Sequence, residues 1–326
     1  MLRTLTVRHE SFPVRGLFRT ARGGVTSAEV IVAEISRNGV IGRGECTPFT
    51  HGGESIASVL DQLKTLGPIL PPELTRDTLP GFLERGAARN ALDCALWDFD
   101  AKCAGVRAWQ LAGLAEPGRL ITACTIGVAS PEVMAEAARN ALSPLIKLKL
   151  DGGDDLARIR AVRAAMPRAR LIADADESWT LDQLRELAPA FRECGVELIE
   201  QPLPAGQDEA LRGFDCPVAL CGDESFLDSG DIDRLRGLYS VLNIKLDKCG
   251  GLTEALKAQK YAADNGLRTL TGCMISTSLA LAPATLLAQD AGFVDLDGSS
   301  LLLTDRNPGL RGEDTRIGPP PPTLWG

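Results

Sequence analysis

The sequence predicts an α/β chain in which a (β/α) barrel follows an N-terminal α+β capping domain. Three observations predict it. From about residue 120 short apolar runs alternate with helical patterns, polar residues recur at one phase of that alternation, and the first 115 residues or so follow a different, mixed pattern. Eight strands alternating with helices form a parallel sheet, and eight is the number that closes a barrel. The expected division is 1–115 for the cap, 116–305 for the barrel and 306–326 for a C-terminal segment returning to the cap.

Each element has its own signal. Met1–Glu10 reads as a charged strand without the apolar stretch of a leader peptide. Val30–Ile35 is a β-branched run, Asn38-Gly39 a hairpin turn, and Val40–Glu45 the returning strand. Ala87–Ala101 reads as a helix with Leu92, Ala95, Leu96 and Phe99 on one face. Two glycine-hinged loops of the cap, Thr20–Gly24 and Thr47–Ser55, are expected to close over a site as lids, with Phe49 keeping water out. The barrel strands are expected at Ile121–Ile126, Leu145–Leu150, Leu171–Asp174, Glu197–Glu200, Val218–Cys221, Val241–Lys245, Arg268–Thr271 and Phe293–Leu296. Helices fall between them at Pro131–Ala141, Asp154–Ala165, Asp182–Cys194 and Thr253–Asn265. The proline-rich stretch from Gly318 to Thr323 is a stiff tail without implied chemistry.

Composition excludes several classes. The net charge of −8, with 35 Lys+Arg against 43 Asp+Glu, argues against nucleic acid or an anionic membrane as partner. No apolar run is long enough to span a bilayer. Nine scattered cysteines without a C-x-x-C read as reduced thiols of a cytoplasmic protein, not as a disulfide frame or zinc site. Only His9 and His51 are present, both far from the acidic clusters in sequence, which leaves no room for Ser-His-Asp or Cys-His catalysis. A homo-oligomer is left open.

The chemistry lies at the strand ends. Lys149 to Asp174 is 25 residues, Asp174 to Glu200 is 26, Glu200 to Asp223 is 23 and Asp223 to Lys245 is 22, so each residue sits at the same point of successive units. The C-terminal ends of barrel strands are where active sites are built. Asp174, Glu200 and Asp223 converging there would repel, and a hard divalent cation resolves that, Mg²⁺ first and Mn²⁺ second. Lys147 and Lys149, two apart on a strand, share a face, and Lys245 lies in an apolar strand. Buried lysine is costly unless paired or functional, and ion pairing to the carboxylates is the plainer alternative. As bases these lysines need a lowered pKa, which burial, a neighbouring ammonium and a metal would supply. A cation stabilising an enediolate, with lysines on opposite faces, amounts to 1,1-proton transfer at a carbon α to a carboxylate.

The set Lys-Leu-Lys, Asp-Ala-Asp, Glu-Gln-Pro, Gly-Asp-Glu-Ser and Asn-Ile-Lys-Leu-Asp-Lys-Cys-Gly-Gly resembles the muconate-lactonising subgroup of the enolase superfamily, and the likeness spans nearly the whole chain. It implies a (β/α)7β barrel, Mg²⁺ on Asp174, Glu200 and Asp223, Lys149 and Lys245 as the two bases, and Lys147 polarising the substrate carboxylate. Asp176 stands where the family usually has Asn. Asp295 and Asp297, expected on one face away from the metal, suit a cationic group such as a dipeptide α-ammonium, and this Asp-x-Asp resembles the dipeptide epimerases of the subgroup. The likeness implies an L-Ala-D/L-Glu type of dipeptide, handled in murein peptide metabolism. Arg22 would clamp its side-chain carboxylate, and Thr125 would hydrogen-bond the substrate. The alternatives are another activity of the subgroup (o-succinylbenzoate synthase, lactonising enzyme, N-acylamino-acid racemase) or a non-catalytic barrel that binds metal and small acids.

Overall fold

The computed structural model describes residues 2–141, 143–310 and 316–326. Its first sheet is antiparallel: β1 (Thr4–Thr20), β2 (Gly23–Arg37) and β3 (Val40–Cys46) lie side by side in chain order. Asn38 and Gly39 both take positive φ and turn β2 into β3. Helix α1 (Ile56–Lys64) starts at Ser55, whose hydroxyl accepts from Ser58 N–H. Helix α2 (Ala87–Ala104) lies directly on the sheet. A Cβ on Gly44 would stand 2.1 Å from Ala91 O, so glycine is what lets helix and strand approach this closely. Ile31, Ile35, Leu63, Leu92 and Phe99 fill the space between them.

Helix α3 (Ala108–Leu111) and the short β4 (Leu120–Ile121) lead into the barrel. Its strands are β5 (Cys124–Ile126), β6 (Leu145–Lys149), β7 (Arg170–Asp174), β8 (Val196–Glu200), β9 (Ala219–Gly222), β10 (Val241–Ile244), β11 (Arg268–Gly272) and β12 (Phe293–Asp295). They form one eight-stranded parallel sheet in chain order. Ala123 N–H donates to Val294 O at 2.8 Å, which brings the last strand back against the first. Helices α4 (Pro131–Asn140), α5 (Asp155–Ala165), α6 (Leu181–Glu193), α7 (Ile232–Leu235), α8 (Leu246–Cys249), α9 (Leu252–Asp264) and α10 (Ser278–Leu287) connect the strands.

The two-residue period of a strand positions the site. Leu145, Ile172, Leu198, Cys221, Val241 and Phe293 form one buried apolar cluster at the base of the ring. Two residues further along each strand, on the same face, come Lys147, Asp174, Glu200, Asp223, Asn243 and Asp295. The interior is plugged with hydrocarbon below and lined with charge above.

Two sequence expectations change. Thr20–Gly24 is not a loose loop: β1 and β2 pair up to Thr20↔Gly23, so Arg22 sits in the tight turn at the tip of one long hairpin. The ladder carries one register shift, between Pro13 and Phe18, in the stretch that contains Gly16. Ile121–Ile126 is not one strand. Leu120–Ile121 pairs with β13 (Arg316–Ile317), and only β5 belongs to the barrel. Beyond residue 305, Arg306 pairs with Glu10 and Glu45, Trp325 Nε1–H donates to Cys94 O at 3.0 Å, and Gly326 N–H donates to Asp98. No helix among the described residues is long and apolar enough to cross a membrane.

Asp247 on α8 ties the barrel to the cap. It accepts from Thr47 N–H at 2.9 Å and from Asn90 Nδ2 at 2.8 Å, and burial pushes its carboxyl up to about 7. The folded protein therefore keeps a proton that the unfolded chain has already released, and the stability linked to Asp247 is lost as pH rises toward 7. Asn at this position retains the acceptor without the charge. The unfolding free energy of D247N relative to wild type should grow by roughly 3 kcal/mol between pH 5 and pH 8, at about 1.4 kcal/mol for each unit from pH 5 up to the folded value. Urea melts at the two values check it, and a pH-independent difference would refute it.

Candidate active site

Strand register places the charged residues side by side. Lys149 at the end of β6 pairs with Asp174 at the end of β7, which pairs with Glu200 at the end of β8. Asp223 and Lys245 each follow one residue after β9 and β10, and Asp295 ends β12. The buried Lys147 ammonium stands 3.0 Å from Asp174 Oδ2, 2.9 Å from Glu200 Oε2 and 2.8 Å from Asp295 Oδ2. Lys149 lies 2.8 Å from Asp174 and 3.2 Å from Asp176, and Lys245 donates to Asp223. As the side chains stand, the carboxylates are gathered on ammonium groups. Among the described residues no three of them form a ready ring for a cation.

Competing charges set the protonation. Burial and the charges of Asp174 and Asp223 raise the Glu200 carboxyl to about 8, against the pull of Lys147. Burial also pushes Asp174 and Asp223 up, but their lysine partners outweigh it and hold both below the ordinary carboxylate range. The lysines themselves correct the sequence reading. Burial lowers Lys149 and Lys245, but Asp174 and Asp223 beside them outweigh it, so both lie above the usual ammonium value. Each lysine is paired at contact distance, and the sequence could not weigh that against burial.

The remaining predicted residues reach the same place. A cavity of about 500 Å³ lies between the barrel mouth and the cap, lined by Lys149, Lys245 and Asp297 below and by Phe18, Phe49 and His51 above. That volume suits a small-molecule ligand. Asp295 and Asp297 both line it, but Asp295 is not apart from the acidic cluster, because Lys147 joins them. Thr125 braces this pair: its hydroxyl donates to Asp295 at 3.2 Å and its N–H to Asp297 at 2.6 Å. Burial and the Asp295 charge raise Asp297 to about 7. Arg22 reaches the mouth and is held there by Asp176, Glu177 and Glu224. Asp176, the departure from the usual Asn, spends its charge on Lys149 and Arg22.

Comparison with known proteins places this arrangement. Residues 2–113 match the family model "Mandelate racemase / muconate lactonizing enzyme, N-terminal domain", and residues 132–303 match "Enolase C-terminal domain-like". The chain belongs to the mandelate racemase / muconate lactonizing enzyme family of the enolase superfamily. It is 42% identical to the L-Ala-D/L-Glu epimerase of Escherichia coli (strain K12), over 95% of this chain and 98% of that one. It is 40% identical to an N-acetyl-D-glutamate racemase of Pseudoalteromonas sp., over 91% and 95% of the two chains. An enolase family member from Agrobacterium tumefaciens with homology to dipeptide epimerases, solved with sodium and L-Ala-L-Glu, superposes with a TM-score of 0.95 at 44% identity, covering 99% and 100%. A dipeptide epimerase from Enterococcus faecalis V583, complexed with Mg and L-Leu-L-Tyr, gives 0.90 at 28% identity, covering 98% of each chain.

In this family member the structure adds residues that the sequence reading passed over. The buried Lys248 pairs with Asp223 opposite Lys245. Asn243 donates to Glu200 Oε1 at 2.7 Å, and a Cβ on Gly272 would stand 2.4 Å from its Oδ1, so glycine makes its room. Asn243 lies two residues before Lys245 on the same strand face, a signal the alternation already carried. Lys248 gave no such signal, because it stands on the one-turn helix α8.

Replacing Lys147 with Met keeps the volume and removes the ammonium shared by Asp174, Glu200 and Asp295. With a chelator present, urea unfolding of K147M should show a loss of about 3–5 kcal/mol, the cost of breaking a buried ion pair on one side. A change below about 1 kcal/mol would mean that these carboxylates are neutral or hydrated without it.

Proposed function

We propose that this family member is a Mg²⁺-dependent dipeptide epimerase acting at the α-carbon of the C-terminal residue of an L-Ala-D/L-Glu type dipeptide. One observation carries it. Lys149 ends β6 and Lys245 follows β10, four positions apart around an eight-stranded ring, so two lysines face one cavity from opposite sides. That arrangement serves removal of a proton on one face and its return on the other.

Asp174, Glu200 and Asp223 would hold the cation. The donor set is all oxygen, as Mg²⁺ prefers and Mn²⁺ accepts, and Asp174 Oδ2 and Glu200 Oε2 are buried without a well-directed hydrogen bond. When bound, the cation offsets the negative charge that builds on the substrate carboxylate as the α-proton leaves. The solved Enterococcus faecalis relative, complexed with Mg and a dipeptide, supports this choice. Lys147 supplies a second positive charge to that carboxylate. Lys149 and Lys245 each take the α-proton from one face and return it as ammonium donors. Asp295 and Asp297, braced by Thr125, receive the α-ammonium of the dipeptide. Arg22 meets the side-chain carboxylate from the hairpin tip, and Phe18 and Phe49 exclude water. Nine scattered cysteines without a C-x-x-C support a reducing, cytoplasmic setting, where peptides released from murein would be the source of substrate.

The N-acetyl-D-glutamate racemase relative favours a second reading, racemisation of an N-acylated glutamate, which has no α-ammonium. Proton NMR in D₂O with Mg²⁺ separates the two. L-Ala-L-Glu should lose its Glu α-proton signal while a new diastereomer appears, and N-acetyl-L-glutamate should remain unchanged. The opposite pattern would discard the dipeptide reading. The double variant D295N/D297N should raise KM for the dipeptide roughly 10- to 100-fold, as expected for a lost charge-assisted hydrogen bond of about 1.5–3 kcal/mol. An unchanged KM would remove the ammonium assignment.

A further inference from the structure

Both lid tips of the cap converge on one carboxylate of the barrel that none of the roles above uses. Glu177 lies three residues past the end of β7. Its Oε2 is 2.9 Å from Arg22 Nη2, in the turn between β1 and β2, and 2.7 Å from His51 Nε2, in the 3₁₀ turn Thr50–Gly52 of the other lid. Its Oε1 accepts from Ala205 N–H at 2.6 Å, in the loop that follows β8. The side chain is 11% exposed, and it is the single group among the described residues to which both tips are paired.

The backbone is built for this placement. Asp176 and Glu177 both take left-handed φ, 52° and 68°, which side chains beyond glycine rarely adopt. Asp176 N–H donates to Asp174 and Glu177 N–H to Gln201 O at 2.9 Å, so the strained pair is held from two strand ends. Strain of this kind persists where the surroundings over-determine it, and it clusters at working sites. Its effect here is to lift Glu177 out of the barrel mouth to the level of the lids. The lower ends of the lids are fixed independently: β1 and β2 pair through their register, and Phe49 N–H and Thr47 N–H are held by Glu54 and Asp247. Above these anchors the His51 tip is paired to Glu177, and the Arg22 tip to Glu177 together with Asp176 and Glu224.

We propose that Glu177 is a positioning residue that latches both lids over the cavity, so that Arg22 and Phe49 are placed together. Arg22 also pairs with Asp176 and Glu224, so what Glu177 adds is the link between the two tips, and removing its charge breaks that link while it releases His51. The latch belongs to the substrate-free protein, whereas its kinetic consequence rests on the dipeptide reading.

Hydrogen–deuterium exchange of the full-length protein without dipeptide tests the latch directly. In E177Q, exchange of residues 47–53 should rise by about fivefold, the change expected for losing about 1 kcal/mol of charged pairing, and that of 18–25 should rise with it by less, because Arg22 keeps Asp176 and Glu224, with the barrel strands unchanged. H51A should free 47–53 alone. If E177Q leaves either tip unaltered, or raises exchange throughout the barrel, Glu177 is not a latch. In kinetics, E177Q should raise KM for the dipeptide several-fold with kcat changed less; a fall in kcat at constant KM would overturn the positioning role. Should the wild type fail to turn over any dipeptide, the function assigned above fails, and the exchange data still decide the latch.

Discussion

Charge compensation inside the barrel mouth is the constraint on which the rest depends. Asp174, Glu200, Asp223 and Asp295 are buried together, and uncompensated carboxylates in such a place would cost several kcal/mol each. Lys147, Lys149, Lys245 and Lys248 supply the opposite charge at contact distance. The arrangement holds because every strand except β11, where Gly272 stands instead, delivers an apolar residue to the ring's base and a charged or polar one two positions later. A one-residue slip of any strand would turn that side chain out of the ring and leave its partner unpaired.

The same lysines that compensate the carboxylates are the groups placed to move a proton. In this arrangement they are held as ammonium ions by their partners, so their work as bases depends on those carboxylates being engaged elsewhere. That links the three acids and the two lysines into one unit. Asp295 enters it through Lys147, which connects the end of the cavity near Thr125 to the acids at its centre. The cap completes the site from above, and Asp247 joins the two parts with one carboxylate that accepts from Thr47 on one lid and Asn90 on α2.

Much of this was legible in the sequence because strand and unit periods are visible there. The spacing of Lys149, Asp174, Glu200 and Asp223 located four strand ends, and the register pairs Lys149 with Asp174 and Asp174 with Glu200. The helix at Ala87 and the Asn38-Gly39 turn followed from local rules. What escaped depends on distance in the chain. Arg22 and Asp176 are far apart in sequence, so their pairing had no local signature. The hairpin tip looked like a loop because Gly23 and Gly24 read as hinges, while the register shows a continuous ladder with one shift. The direction of the lysine pKa shifts needed the contact distances, since burial and ion pairing act in opposite senses.

The account's central claim is that one lysine serves each face of the α-carbon, and stereospecific exchange tests it most directly. K149A and K245A, loaded with Mg²⁺ in D₂O, would each be given L-Ala-L-Glu and L-Ala-D-Glu, and the Glu α-proton followed by NMR. The account predicts that both variants lose epimerisation while each still exchanges the α-proton of one diastereomer, and that the two variants retain opposite ones. Exchange lost for both diastereomers in both variants, or epimerisation surviving in either, would contradict it.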